Sequence, residues 1–298
     1  MHRILLLTLA ALLSCACAEP NRNDAETKLY VSILPLKGLV SDIVGPDFEI
    51  GVLVPPGTGP ETFEPTPRQF AELNRARMIF QIGWLDFEQT LLAKIEDRGK
   101  IVSLNRGIEP VAGSCSHVSH PTAETKCTHG DGGHRHVHAH GVDPHLWTSP
   151  KELQRMAANA YEAIHAAWPD SARYTQNYER LREKLEQLDR RTAEKIARSG
   201  VRSFIIYHPA LSYYARDYAL RQVAIETDGK EPSMRRLGEI IRDAREEGIR
   251  KILYQSQYPA STVETLARDL GAEAVAIDPL REDAPANIDS ITDIITNQ

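Results

Sequence analysis

The sequence predicts an α/β protein of two lobes joined by a long helix. Three observations carry that reading. Short β-like runs alternate with helix-like stretches over roughly residues 30–103, the alternation resumes from Arg202, and between them lies an amphipathic stretch of nearly thirty residues. Such alternation argues for parallel sheets flanked by helices. At 298 residues the chain is long enough for two units with cores of their own. Its 42% hydrophobic and 26% charged residues are those of a globular protein, and a formal net charge of −6 leaves no basic surface for nucleic acid.

At the N-terminus, His2 and Arg3 precede a run from Ile4 to Leu13 that is apolar except for Thr8, followed by Ser14-Cys15. This is the pattern of a bacterial export signal, and the run is too short to span a bilayer. Residues 1–14 are therefore expected to be a lipoprotein signal peptide. Leu12 stands three residues before Cys15 and Ser14 directly before it, which makes Cys15 the expected lipidation site. Lipid on Cys17, or ordinary cleavage near Ala18, are the alternatives. Several acyl chains on one cysteine anchor a protein to a membrane, so the rest of the chain is expected outside the cytoplasm, in the periplasm or on the cell surface.

Residues 15–27 read as a tether and residues 28–168 as the N-terminal lobe. Tyr30 to Leu34 is the first strand candidate, and Pro35 opens a helix to Val44. Phe48 to Val54 is the next strand, after which Thr66-Pro67 supplies an N-cap and first-turn proline. Met78 to Ile82, a helix from Leu85 to Ile95, and Ile101 to Ser103 continue the pattern. Ser149 with Glu152 three residues on has the form of a capping box, opening a helix that Pro169 stops. Tyr174, Tyr178, Leu181, Leu185 and Leu188 step by four and three, one stripe of a helix. The helix they define lies within residues 169–200 and is roughly 43 Å long at about 1.5 Å per residue, enough to bridge two lobes. In the C-terminal lobe, residues 201–298, strands fall near Ser203 to Tyr207, Gln222 to Ile225, Lys251 to Tyr254 and Glu273 to Ile277. Helices from Ser233 to Glu247 and from Ala260 to Leu270 lie between them.

Four residues able to bind a metal stand in four loops: Glu61, His145, His208 and Asp278. His208 and Asp278 each come one residue after a β-like run, and ligands of open α/β sheets bind beyond the carboxyl ends of the strands. Each is followed by proline, which restricts its backbone away from helix. Glu61 follows the Pro55–Pro60 turn, rich in proline and glycine, and His145 lies just before the capped helix. Singly, each has an ordinary explanation as a helix cap or loop hydrogen-bonder. Two from each lobe would place an ion in the cleft. Trp84 and Trp147 are expected to wall that cleft, and Trp168 and His165 to be packing residues.

Residues 113–141 hold seven of the eleven histidines and almost no large apolar residue, so they are expected to be a flexible loop without a packed core. Imidazole suits zinc, copper and nickel better than manganese. His129, His134, His136, His138 and His140 are thus candidates for auxiliary metal capture, against the alternative of an insertion with no such role. Cys115 and Cys127 flank the first part of this loop. Outside the cytoplasm a disulfide is the default for such a pair, contributing about 3 kcal/mol by the chain-entropy account. Cys115-Ser116-His117 and Cys127-Thr128-His129 offer a rival, a tetrahedral zinc site.

From Lys28 to its end the chain resembles the metal-binding lipoproteins that deliver zinc or manganese to bacterial ABC importers, the ZnuA-like proteins. The resemblance is carried by Pro56-Gly57 through Phe63-Glu64-Pro65-Thr66-Pro67, by Asp143-Pro144-His145-Leu146-Trp147, by His208-Pro209-Ala210 with Tyr213-Tyr214-Ala215, by Glu231-Pro232-Ser233 and by Asp278-Pro279-Leu280. It implies two lobes, each with a four-stranded parallel sheet, joined by a rigid long helix. It also implies the ligand set Glu61, His145, His208 and Asp278, with Glu64 in a structural position. Glu61 is a departure, because the family has histidine there. Two neutral imidazoles and two carboxylates still balance a divalent cation. Oxygen donors favour harder ions, so Mn2+ or Fe2+ gain ground on Zn2+. Zinc accepts this donor set in a tetrahedral arrangement, and the histidine-rich loop weighs in its favour.

The resemblance implies an extracytoplasmic solute-binding protein, not an enzyme, with an ABC permease as its partner and a monomeric state. Small lobe movement is expected, and metal affinity that falls below about pH 6.5 as the histidines protonate. Two other classes stay open. One is a metal-dependent hydrolase with Glu61 as general base and a zinc-bound water in an open position; the other is a surface metal buffer or adhesin that serves no permease. The sequence contains no Gly-rich phosphate loop, HExxH motif or Gly-x-Ser-x-Gly turn, the usual marks of other chemistries.

Overall fold

A computed structural model describes residues 28–113, 141–226, 232–258 and 260–297. The expected signal segment with Cys15 and Cys17, the histidines from His117 to His140, Cys115, Cys127 and Glu231 lie outside the described residues.

Each lobe is built on a four-stranded sheet whose neighbouring strands all run parallel. Strands β1 (Lys28–Val31), β2 (Glu49–Val52), β3 (Met78–Gln81) and β4 (Ile101–Ser103) are ordered β2-β1-β3-β4. In the second lobe β5 (Ser203–Ile206), β6 (Arg221–Ala224), β7 (Lys251–Gln255) and β8 (Glu273–Ile277) repeat that order as β6-β5-β7-β8. In each sheet the chain first steps to one side of its opening strand and then crosses to the other. The switch leaves a crevice at the carboxyl ends of the strands. The helices are α1 (Leu34–Val44), α2 (Pro67–Arg75), α3 (Asp86–Leu92), α4 (Pro150–Ala167), α5 (Ala172–Ser199), α6 (Ser212–Asp217), α7 (Met234–Glu246), α8 (Ala260–Leu270) and α9 (Ala284–Thr296). Among the described residues no helix is long and apolar enough to cross a membrane.

The local signals act where the sequence places them, with two corrections. Thr66 caps α2 in a capping box with Gln69. The first strand ends at Val31 rather than Leu34, because Pro35 sits in the first turn of α1 with Ile33 as its extended N-cap. The second correction is the capping box expected at Ser149. Its hydroxyl donates instead to Asp217, while the fully buried Glu152 binds Arg155 at 2.9 Å and also Arg216. Asp217 and Arg216 belong to α6 of the other lobe. Tertiary ion pairs have displaced the local cap.

Helix α5 buries Tyr174, Leu181, Leu185, Leu188, Thr192 and Ile196 and packs on α4, α1 and α9. It ends at Gly200, held at φ 70°, a left-handed C-cap that glycine adopts at no steric cost. Alternation along the C-terminal strands splits their side chains between two cores. Phe204, Ile206, Leu253 and Ile277 join one large core with the N-terminal lobe, α5 and α9. Ile205, Val223, Ile225 and Ile252 face the other way, into a second core with Ile240 and Ala244 of α7 and Val263 and Leu266 of α8.

Behind the cleft the lobes meet backbone to side. A Cβ on Gly38 of α1 would stand 2.2 Å from the carbonyl oxygen of Glu282, in the loop between β8 and α9, and Lys37 pairs with the Glu282 carboxylate at 3.1 Å. Gly38→Ala is expected to destabilise the protein by about 1–3 kcal/mol, the usual cost of overpacking. Lys37→Ala, which removes a solvent-facing pair, should cost under about 1 kcal/mol. Urea unfolding of the two variants reads the difference, and equal midpoints would refute the close approach.

Candidate metal site

Glu61, His145 and His208 converge at the mouth of the cleft. Glu61 rides on a 3-10 turn, Pro60–Thr62, after β2. His145 is the residue before the short 3-10 turn that leads into α4, and His208 follows β5 by two residues. Their ligand atoms all lie within 4.8 Å of one another. Glu61 Oε1 is 3.1 Å from His145 Nε2 and 3.4 Å from His208 Nε2. Two donors bound to one ion at about 2.1 Å in tetrahedral geometry stand roughly 3.4 Å apart. The cluster therefore has the spacing an ion would need.

The far nitrogens of both rings are fixed by buried carboxylates. Asp143 Oδ1 lies 2.8 Å from His145 Nδ1 and also accepts the backbone N–H of His145 at 2.8 Å. Glu226 Oε2 lies 3.1 Å from His208 Nδ1. A carboxylate on the outer nitrogen sets tautomer and ring orientation and makes the inner nitrogen a better donor. His208 Nε2 is buried, with Glu61 Oε1 3.4 Å away as an ion-pair partner but no hydrogen bond of its own. A buried ring nitrogen so weakly partnered leaves room for a closer one. A divalent ion suits that place and the donor set.

These neighbours also shape the charges. Burial works against a charged His145, but Asp143 and Glu61 outweigh it and raise the ring to about 10. Burial likewise opposes the raised His208, whose partners are Glu226 and Glu61. For Glu61 burial acts upward, yet the two imidazoles hold its carboxyl below the ordinary range, and the same balance lowers Asp143.

Asp278 stands at the end of β8 as expected, but is not part of the three-residue cluster. Its Oδ1 accepts from Gln257 Nε2 and from the backbone N–H of Leu280, both at 3.0 Å. Trp147 is buried and donates from Nε1 to the Pro279 carbonyl at 2.9 Å, so it walls the cavity and ties the Asp278 loop to the other lobe. Trp84 instead stacks on Tyr213, with centroids 6.4 Å apart. Its loop is held by the buried Glu88, which accepts the backbone N–H of Ile82 at 2.8 Å and of Gly83 at 2.7 Å. Trp168 packs on Phe48 and His165 on Tyr161. Sequence reasoning did not find Glu226, Gln257 or Tyr258, all of which lie at the site. Glu226 had a signal, since it directly follows the β-like run Gln222 to Ile225 beside the strand of His208.

Two parallel sheets sharing a long helix thus bring two imidazoles and a carboxylate together between the lobes. The chain belongs to the family described as zinc-uptake complex component A, periplasmic, which it matches over residues 29–297. It is 25% identical over 281 residues to the zinc-binding lipoprotein AdcA of Streptococcus pneumoniae (strain ATCC BAA-255 / R6), covering 93% of this chain and 54% of that one. A putative metal-binding protein of Treponema pallidum (strain Nichols) is 28% identical over 278 residues, covering 89% of this chain and 83% of its own. The chain spans about half the length of the AdcA relatives it matches. The crystal structure of ZnuA superposes with a TM-score of 0.77 at 29% identity, covering 91% of this chain and 98% of the other, and a ZnuA deletion mutant with zinc bound has the same TM-score.

The raised histidines have a consequence for the metal-free protein. A group whose pKa is higher folded than unfolded stabilises the fold fully below its unfolded value, near 6.5, and that contribution is lost as pH rises through the folded one. For His145 the window runs from about 6.5 to about 10. Chelator-treated protein should therefore melt at progressively lower temperature across that range. His145→Gln should flatten the decline, and an unchanged slope would show that His145 does not carry it.

Proposed function

We propose that this protein is an extracytoplasmic receptor that captures one divalent metal ion, zinc, between its lobes and presents it to an ABC import permease. The observation that carries the proposal is the convergence of Glu61 Oε1, His145 Nε2 and His208 Nε2, with the His208 nitrogen buried and unbonded. Asp278 is proposed as the fourth ligand, and Mn2+ or Fe2+ as the competing ions. Membership in a family of uptake components supports a carrier rather than a hydrolase, and so do relatives named as zinc-binding. The proposal keeps Cys15 as the lipid anchor and the histidine-rich loop, His129 and His134 to His140, as an auxiliary collector of metal. Both are tested directly, by mass spectrometry of the membrane fraction and by deletion of the loop, which should leave the main site intact.

Competitive titration with zinc, manganese and ferrous iron tests the site. His145→Ala and His208→Ala should each weaken zinc by more than the roughly 10–100-fold typical of losing an outer-sphere partner. Glu61→His should tighten zinc and weaken manganese, because it replaces a hard oxygen by imidazole. No change in either would place Glu61 outside the coordination sphere.

Metal can bind only to deprotonated imidazoles, and at neutral pH the metal-free site holds a proton on His145 because its pKa is raised to about 10. Binding must then release that proton, and apparent affinity should rise with pH from about 6 well past the ordinary histidine value of about 6.5. Calorimetry in buffers of different ionisation enthalpy counts the protons. Zero release at pH 7.5, or an affinity that levels off above about pH 6.5, would show that His145 holds no such proton and titrates in the ordinary histidine range.

A further inference from the structure

Strand β7 lies between β5, which leads to His208, and β8, which leads to Asp278. The residues at its carboxyl end reach both. Gln255, buried, grips the backbone of His208 twice: its Nε2 donates to the His208 carbonyl at 2.7 Å, and its Oε1 accepts from the His208 amide at 3.3 Å. The ring of Tyr258 stacks on the His208 imidazole, centroids 5.3 Å apart and planes 22° from parallel. Gln257 Nε2 donates to Asp278 Oδ1 at 3.0 Å. The backbone N–H of Ser256 donates to the Ile277 carbonyl at 3.1 Å, which continues the β7–β8 ladder into the two loops.

We propose that Gln257 is a positioning residue for the metal ion: acting through Asp278, it sets whether the ion is held by three side chains or by four. The inference rests on the reading of Asp278 as a ligand. Two donors meet at Asp278 Oδ1, but they are not equivalent. Leu280 N–H comes from the same loop, two residues on, and travels with Asp278. Gln257 comes from the turn that follows β7, the strand whose last residue, Gln255, grips His208, so it fixes the carboxylate relative to the second ligand of the same lobe. With Oδ1 engaged by these two donors, the other oxygen is the one that remains for an ion, since a carboxylate offers about four lone-pair sites over two oxygens. Ligating carboxylates are commonly oriented by such an outer hydrogen bond. An amide suits this task because it donates without cancelling the carboxylate's charge, as a lysine or arginine would.

The test compares Gln257→Ala, Gln257→Glu, Asp278→Ala and the double variant Gln257→Ala/Asp278→Ala in the full chain. Zinc affinity is read by chelator competition, and the visible spectrum of bound Co2+ reports coordination number independently of affinity. Gln257→Ala should weaken zinc about 10–100-fold, move the Co2+ spectrum to that of Asp278→Ala, and add nothing to the loss in the double variant. Gln257→Glu has the same shape but cannot donate when ionised, and it should weaken zinc at least as much. Wild-type affinity and spectrum in both Gln257 variants, with Asp278→Ala impaired, would overturn the inference, as would additive losses in the double variant. If Asp278→Ala itself binds as wild type, the assignment of Asp278 fails and the inference with it, leaving the cluster of Glu61, His145 and His208 standing.

Discussion

One face of the C-terminal sheet and the core of the N-terminal lobe share a single hydrophobic interior, and α5 runs along it with Leu181, Leu185 and Leu188 buried. Domains tied by a flexible linker move relative to each other by default, because their interface is small and polar. Here the opposite holds. Separating the lobes would expose Phe204, Ile206, Leu253 and Ile277 along with their partners, and would break the Tyr213 bond to the Asp143 carbonyl at 2.7 Å. Glu61, His145 and His208, drawn from both lobes, are therefore held close together by packing alone. Preorganisation of this kind lowers the ordering cost of binding.

Electrostatics at the site follows from that rigidity. Each imidazole stands between two carboxylates, His145 between Asp143 and Glu61 and His208 between Glu226 and Glu61. Glu61 is the partner common to both. Carboxylates this close to a ring favour its cationic form, and both histidines are raised above their ordinary value. On the proposed reading a divalent ion would take the place of that charge, and capture would be an exchange of cations at a fixed set of anions around Glu61.

Much of this was legible in the sequence because it depends on local chemistry. The threonine–proline start of α2, the stripe on α5 and the ends of β5 and β8 needed no long-range information. What failed, or went unseen, depended on contacts between residues distant in the sequence. Ser149 and Glu152 carry the spacing of a capping box, yet residues of α6, more than sixty positions away, take both side chains. Asp278 lies at a strand end as expected, but its carboxylate accepts a hydrogen bond from Gln257, which no motif marks. Glu226 looks like any acidic residue after a strand until the fold lays β6 beside β5. Proximity between neighbouring strands in a parallel sheet is written in topology, not in spacing along the chain.

The second core of the C-terminal lobe has an implication for where the molecule can loosen. Cooperative units of unfolding tend to follow the boundaries of packed clusters, and α7 and α8 pack on the outer face of their sheet, apart from the interior that joins the lobes. The loops that carry Glu226 and Tyr258 connect to these two helices. Loosening that outer layer would withdraw the support of His208 while leaving Glu61 and His145 on the undisturbed body. The molecule is thus asymmetric in where it can yield, on the side of His208 and not on that of Glu61 and His145.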